Sequence, residues 1–229
     1  MYCAVDFFGK DALTLFHGSR AVVKQPWLGG GSSHCDYGSG FYGTESLALA
    51  SEWACPTLDD GCVNEYRLSL DGLKVLDLSS PEFSVLNWLA VLLAHRTFEV
   101  EPSSSRRARD FMLERYGVDL TGADLIHGYR ADDSYFSFAR DFLTNQIDIE
   151  TLERALFSGG LGYQIALKTE SAFEALSFVG SATVEGSRWN PLRIARDGKA
   201  REQYQRLRMA AIEGGFRGTY LMDIMRGEA

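Results

Sequence analysis

The chain has 229 residues, 45% of them hydrophobic, enough to bury a sizeable core in one large domain or in a domain with an appendage. Its 31 acidic residues against 23 basic ones leave a formal charge of -8, the opposite of what a general polyanion binder needs. The longest nearly apolar run, residues 85–94, falls well short of the roughly 20 residues that span a bilayer, and residues 1–8 carry Asp6 with no Lys or Arg, so neither a membrane segment nor a secretory leader is expected and a cytoplasmic location is. Cys3, Cys35, Cys55 and Cys62 contain no CxxC pair, which points to free thiols over a disulfide framework or a zinc site.

In chain order, residues 12–16 read as a short strand that ends at the turn-like His17-Gly18-Ser19. A long glycine-rich loop follows over residues 29–40, and Phe41-Tyr42 resumes extended structure. Thr44 is the expected N-cap of a helix through Leu47, Ala50 and Trp53 that Pro56 terminates. Residues 64–70 and 73–78 read as two strands of a β-hairpin joined at Asp71-Gly72. Ser79-Ser80-Pro81-Glu82 then opens a buried helix that runs to about Phe98, and a polar helix covers residues 105–116.

Residues 124–128 form the next expected strand, leading into a helix begun by Asp132 or Asp133. A capped helix over residues 148–157 precedes a strand at 163–168, a short helix at 171–176 and a last strand at 178–184. Strands and helices interleave unevenly, so an α+β fold is expected, not a regular doubly wound sheet. Residues 188–208 hold seven basic side chains against Asp197 and Glu202, a local excess of 7 minus 2, or +5; this reads as a solvated helix paired against an acidic body, or as a contact surface for nucleic acid or an acidic partner.

Three segments carry the functional pattern: Leu15-Phe16-His17-Gly18-Ser19, then Asp36-Tyr37-Gly38-Ser39-Gly40-Phe41-Tyr42-Gly43-Thr44, then Tyr163-Gln164-Ile165-Ala166-Leu167. Together they resemble the ADP-ribosyltransferase superfamily, in the His-Tyr-Glu branch of diphtheria toxin and the poly(ADP-ribose) polymerases. The middle segment matches that branch's aromatic-Gly-x-Gly-apolar-Tyr motif, with Ala50 and Trp53 at the positions of its downstream serine and aromatic residue. A bacterial subfamily of such domains is closer still, through Asn64-Glu65-Tyr66, the Asp71-Gly72 turn, residues 128–133 with Ala131-Asp132-Asp133, and Gln164 to Thr169. The resemblance spans residues 13–184. It implies a split β-sheet core with surrounding helices over residues 1–185, with a helical insertion at about 80–120, and leaves residues 186–229 as a basic helical extension.

The resemblance also implies NAD as substrate, with no metal. A flat pyridinium cation is attracted to aromatic faces by about 0.5–2 kcal/mol, and Tyr42 and Trp53 are the implied sandwich. Gly18 would read the carboxamide with its backbone, His17 would hydrogen-bond a ribose hydroxyl, and Ser19, Gly40 and Asp133 complete the implied cofactor contacts. Bond cleavage leaves an oxocarbenium-like sugar that the branch stabilises with a glutamate. Gln164 stands at that position and brings only a dipole, which implies slower cleavage and single rather than chain-forming transfer.

The implied compensating carboxylate is Asp133, with Asp132 behind it, and a helix N-cap is the plainer use of either. His17 alone also suits a turn, Tyr42 and Trp53 a core, and Glu65 an ordinary cross-strand charge. His34-Cys35-Asp36 fits neither a metal nor a Cys–His nucleophile, because neighbouring side chains in an extended loop point apart. The expected function is mono-ADP-ribosylation of a macromolecular acceptor, a protein ahead of a nucleic acid, in a bacterial toxin or effector role with an antitoxin protein as a further partner. The rival is a catalytically inactive module that binds NAD, ADP-ribose or a partner.

Overall fold

A computed structural model describes residues 3–4, 10–31, 33–96, 103–131, 133–158, 160, 162–213 and 218–227. The chain divides into two compact units, Met1–Glu82 with Asp119–Arg130 and Gly162–Ile194, and Phe83–Val118 with Ala131–Leu161 and Ala195–Ala229. Eight strands and eight helices lie among the described residues, in an α+β arrangement with two sheets.

The first unit holds every strand: β1 (Cys3–Ala4), β2 (Ala12–Ser19), β3 (Phe41–Gly43), β4 (Gly61–Ser69), β5 (Lys74–Asp77), β6 (Leu125–Tyr129), β7 (Tyr163–Leu167) and β8 (Leu176–Val184). One sheet has the order β1-β5-β6-β7-β3 and the other β2-β4-β8. β5 and β6 pair in parallel and the other neighbours antiparallel. A parallel pair requires a long crossover, and residues 78–124 supply it. The core of the unit lies where the sheets face each other: Leu13 and Leu15 of β2 and Tyr66 and Leu68 of β4 pack with Phe41, Val75, Leu125, Ile165 and Leu167 from the five-stranded sheet.

Several local expectations change. His17-Gly18-Ser19 is not a turn; all three residues continue β2, in register with Asn64, Val63 and Cys62. Residues 64–70 and 73–78 do not form a hairpin, because β4 and β5 belong to different sheets. Gly72 does adopt the left-handed φ of 73° that a tight turn needs, yet β4 is buried along most of its length and takes the central place between β2 and β8. The turn redirects the chain from one sheet to the other.

Helix α1 (Leu47–Ala54) is capped by Ser46, whose hydroxyl accepts from Leu49 N–H, and not by Thr44, whose own hydroxyl donates to the Tyr163 carbonyl. It lies on the three-stranded sheet over Ala50, Ala54, Cys55 and Val63, with Phe16, Val184 and Trp189 packed around them. Helix α2 (Val85–His95) starts later than Pro81 suggests, with Ser84 and Asn87 forming a capping box. Ser79 instead donates its hydroxyl and its N–H to Asp77 Oδ1, and Ser80 N–H donates to the Asp77 carbonyl, which folds this stretch into a turn ahead of the helix. Phe98, the expected end of this helix, lies outside the described residues.

The second unit is helical. The apolar helix α2 packs against α3 (Ser103–Tyr116), with Asn87 Nδ2 donating to the Tyr116 carbonyl and Arg109 to that of Leu93. Helices α4 (Asp133–Leu143) and α5 (Ile149–Ser158) follow, the latter begun by Asp148, which accepts from Thr151 N–H at 2.7 Å. The short α6 (Glu170–Glu174) belongs to the first unit, whereas α7 (Gly186–Glu213) starts in the first and continues in the second, and α8 (Leu221–Arg226) ends the described chain.

Part of the basic surplus on α7 is answered within the second unit: Arg201 pairs with Asp197 and Arg206 with Glu202 one turn away, and Arg208 donates to Gln146. Asp141, 3.6 Å from Arg208, also accepts the Tyr204 hydroxyl at 2.5 Å. No described helix is long and apolar enough to cross a membrane.

Candidate functional site

The two sheets of the first unit meet at one bridge, where Phe16 and Thr44 exchange backbone hydrogen bonds of 2.8 and 2.9 Å. His17 stands one residue beyond it on β2, and Tyr42 two residues before it on β3. Because backbone groups alternate along a strand, the N–H and C=O of Gly18 point to the same side of β2 as those of Phe16, toward the seam and away from β4.

The His17 Nδ1 lies 2.7 Å from the carbonyl of Tyr42. A carbonyl only accepts, so Nδ1 carries the proton and Nε2 of the neutral ring is an acceptor. Burial lowers the imidazole pKa from its ordinary 6.5, against the opposing pull of that carbonyl. The ring also lies 4.4 Å from that of Phe41. The unfolded chain binds a proton near pH 6.5 that the folded chain resists, so His17 contributes stability above that pH and loses it as pH falls below. Replacing it by Gln flattens the acid limb of a chemical-denaturation profile between pH 7 and 5, by at most about 1.4 kcal/mol per pH unit; an unchanged slope contradicts the assignment.

Tyr42 is fixed through its hydroxyl, which donates to the Gly38 carbonyl at 2.6 Å and accepts from Tyr37 N–H at 3.1 Å. His17, Trp27, Cys35, Gly40, Phe41 and Tyr42 line a cavity of about 310 Å³, in the range of small-ligand sites. Gly40 is buried here, and a Cβ on it would come within 2.8 Å of the Leu167 carbonyl oxygen. Trp27, 68% exposed, forms part of the wall. Gly18, Ser19, Trp53 and Gln164 are not among the lining residues described for it.

Gln164, 5% exposed on β7, donates from Nε2 to Asp36 Oδ2 at 2.7 Å and, more weakly, to the Tyr129 carbonyl at 3.4 Å. The carboxylate that meets this strand position is therefore Asp36, which opens the middle segment and to which sequence reasoning assigned no part in the site. The loop around it is pinned from two strands. Tyr37, fully buried, donates from its hydroxyl to the Tyr129 carbonyl at the end of β6, and Lys168, just past β7, donates from Nζ to the carbonyls of Tyr37 and Ser39. Burial lowers the Lys168 pKa, with a small opposing effect from Cys35.

The remaining implied contacts are placed as follows. Ser19 Oγ donates to the Ala21 carbonyl and accepts from Asn64 Nδ2, both within β2 and its neighbours. Gly18 lies against α1, where a Cβ would fall 2.0 Å from the Ala50 carbonyl oxygen. Trp53 is on that helix, and the Arg130 guanidinium carbon lies over its ring, 4.9 Å from the centroid. The buried indole Nε1 has no hydrogen-bond partner among the described residues. Asp133 opens α4 in the second unit, and Asp132 lies outside the described residues.

Other features are less suited to this chemistry. The cavity of about 850 Å³ over the three-stranded sheet, lined by Phe16, Leu47, Glu65, Arg188 and Trp189, contains none of the implied site residues, and its size does not outweigh the smaller site's buried, oriented polar atoms. Glu65 is a β4 residue facing Phe16 and Gly180 across the strands. His127 is buried and bound to Asp77 at 2.8 Å, while His34 is exposed. Cys35, Cys55 and Cys62 are free thiols, and no metal-holding group of His, Cys, Asp or Glu occurs among the described residues.

No curated protein and no solved structure matches this chain. A family model described as a protein of unknown function, DUF3990, matches residues 13–178, from the first core leucine of β2 to the phenylalanine of β8 that packs on Tyr66. The chain belongs to the DUF3990 family.

Proposed function

We propose that this chain is a mono-ADP-ribosyltransferase that splits NAD in the seam between its two sheets and moves ADP-ribose to a macromolecular acceptor, a protein ahead of a nucleic acid. The observation that carries the reading is the coincidence, at one bridge, of three groups the chemistry requires. These are a neutral imidazole with its acceptor nitrogen set by Tyr42, the backbone edge of Gly18 that faces away from β4, and a buried side-chain amide on the strand next to β3.

In this mechanism the His17 Nε2 accepts a ribose hydroxyl proton in a hydrogen bond, and the Gly18 backbone binds the carboxamide through one donor and one acceptor. Tyr42 and Trp53 take the two faces of the pyridinium. The C1′–N bond breaks with both electrons going to nitrogen, so nicotinamide leaves neutral and positive charge develops on the sugar. Stacking favours the charged ground state and orients the ring, whereas Gln164 Oε1, accepting from the 2′-hydroxyl, acts on the developing oxocarbenium. An acceptor nucleophile then bonds C1′ and gives up its proton.

A cytoplasmic toxin or effector role, opposed by an antitoxin protein, is the setting this activity fits by analogy with small domains of the same kind. One observation favours a second reading: Gln164 offers no full charge of its own, as an inactive NAD-binding module would have it. Both readings require NAD to bind. At a hundredfold excess over Kd, NAD selective for the folded state contributes about 2.7 kcal/mol, a rise in Tm of about 5–10 °C. Tyr42→Ala abolishes the rise; a wild-type protein whose Tm ignores millimolar NAD contradicts both readings.

A further inference from the structure

Gln164 differs from the glutamate that its position implies, and its surroundings explain the difference. Its amide nitrogen faces the Asp36 carboxyl oxygen at 2.7 Å and the Tyr129 carbonyl oxygen at 3.4 Å. A carbonyl oxygen only accepts, and an amide nitrogen only donates, so this arrangement fixes which end of the side chain is which. The NH₂ group is turned toward Asp36 and Tyr129, and Oε1 is the end that these two bonds leave unused. A glutamate in the same place would bring a carboxyl oxygen against Asp36 and a backbone carbonyl, with no donor between them.

Asp36 is itself held. It is 5% exposed, and its neighbour Tyr37 is anchored by its hydroxyl to Tyr129 and by its carbonyl to Lys168. The Gly38 N–H closes a turn onto the Cys35 carbonyl at 2.9 Å, so the residues on both sides of Asp36 are tied down. A buried carboxyl group on a pinned loop that accepts from a strand side chain has the geometry of a positioning residue.

We propose that Asp36 and Gln164 form a matched pair in which Asp36 orients the amide so that Oε1 faces the ribose, and that Gln164 is required at this position because Asp36 is its partner. The role rests on the NAD reading given above. It leads to a counter-intuitive outcome: restoring glutamate at position 164 impairs the protein, unless the acceptor at position 36 becomes a donor in the same step.

The test is a double-mutant cycle on the full chain with Asp36→Asn, Gln164→Glu and both together, plus Asp36→Ala. Tm, NAD affinity by calorimetry, and kcat and KM for nicotinamide release are read for each. Gln164→Glu alone lowers Tm by about 4 °C or more and release by at least about tenfold. Asp36→Ala lowers kcat about tenfold with KM changed less than about threefold, the pattern of lost orientation rather than lost binding. In the double variant the amide introduced at position 36 donates to the carboxylate introduced at position 164, and both Tm and release recover to at least the wild-type level.

Additive effects in the cycle overturn the proposal, as does a Gln164→Glu protein that is as stable and as active as wild type. A wild type that binds NAD while Asp36→Ala leaves kcat unchanged overturns the role of Asp36 alone. Absence of both NAD binding and release in the wild type overturns the NAD reading and the orienting role with it, and the Tm cycle then still decides whether the two residues are paired.

Discussion

Gly18→Ala unfolds the protein at a temperature about 6–12 °C below wild type. The added Cβ falls 2.0 Å from the Ala50 carbonyl oxygen and 2.7 Å from the Ala54 nitrogen, and both are backbone atoms of α1 that move only if the helix moves. Gly61 meets the same helix in the same way, 2.2 Å from the Ala54 carbonyl oxygen, so α1 is seated on two glycines of neighbouring strands. Forcing a strand and a helix apart costs about 3 kcal/mol, at the upper end of overpacking, and each kcal/mol shifts Tm by about 2–4 °C in a chain of this size. Gly180→Ala, where the new methyl group meets open space, is the control and leaves Tm within about 1 °C. A Gly18→Ala protein as stable as this control contradicts the packing. The ligand-based reason for a glycine at position 18 is thus joined by a structural one, and Gly18 is a poor choice for probing NAD.

The alternation of Leu13 and Leu15 with a polar Thr14 made β2 legible, and Pro56 marked the end of α1. Partnership between strands was not. Asp71-Gly72 has the chemistry of a hairpin turn, but the turn fixes only its own dihedral angles, and β4 is drawn to β2 and β8 by burial along its length. Caps were missed for a related reason: Thr44 and Ser79 have the right side chains but use them on Tyr163 and Asp77, contacts made by residues distant in sequence or already folded back.

At the candidate site, His17 and Tyr42, on strands of different sheets, are joined by a side-chain-to-backbone bond no pattern encodes. Asp36 stood in the motif without a role because its meaning depends on Gln164, 128 residues away. It sits in a glycine-rich stretch without regular structure, and burial of an aspartate there follows from the anchors Tyr37 and Lys168.

The second large effect is on chemistry. His17→Ala lowers nicotinamide release about 100-fold, because the imidazole is held by Tyr42 with its acceptor nitrogen already placed, and removing one preorganised partner of the reacting sugar costs about that much in comparable sites. The half-buried ring lines the cavity and packs on Phe41, so Tm read beside release separates a loss at the site from a loss of fold. The decisive measurement is free nicotinamide, quantified by chromatography after purified wild-type protein is incubated with NAD in the presence and absence of cell extract. The expected result is nicotinamide in excess of the protein present, matched by ADP-ribose bound to extract macromolecules and lowered about 100-fold by His17→Ala; a folded wild-type protein that releases none under either condition contradicts it.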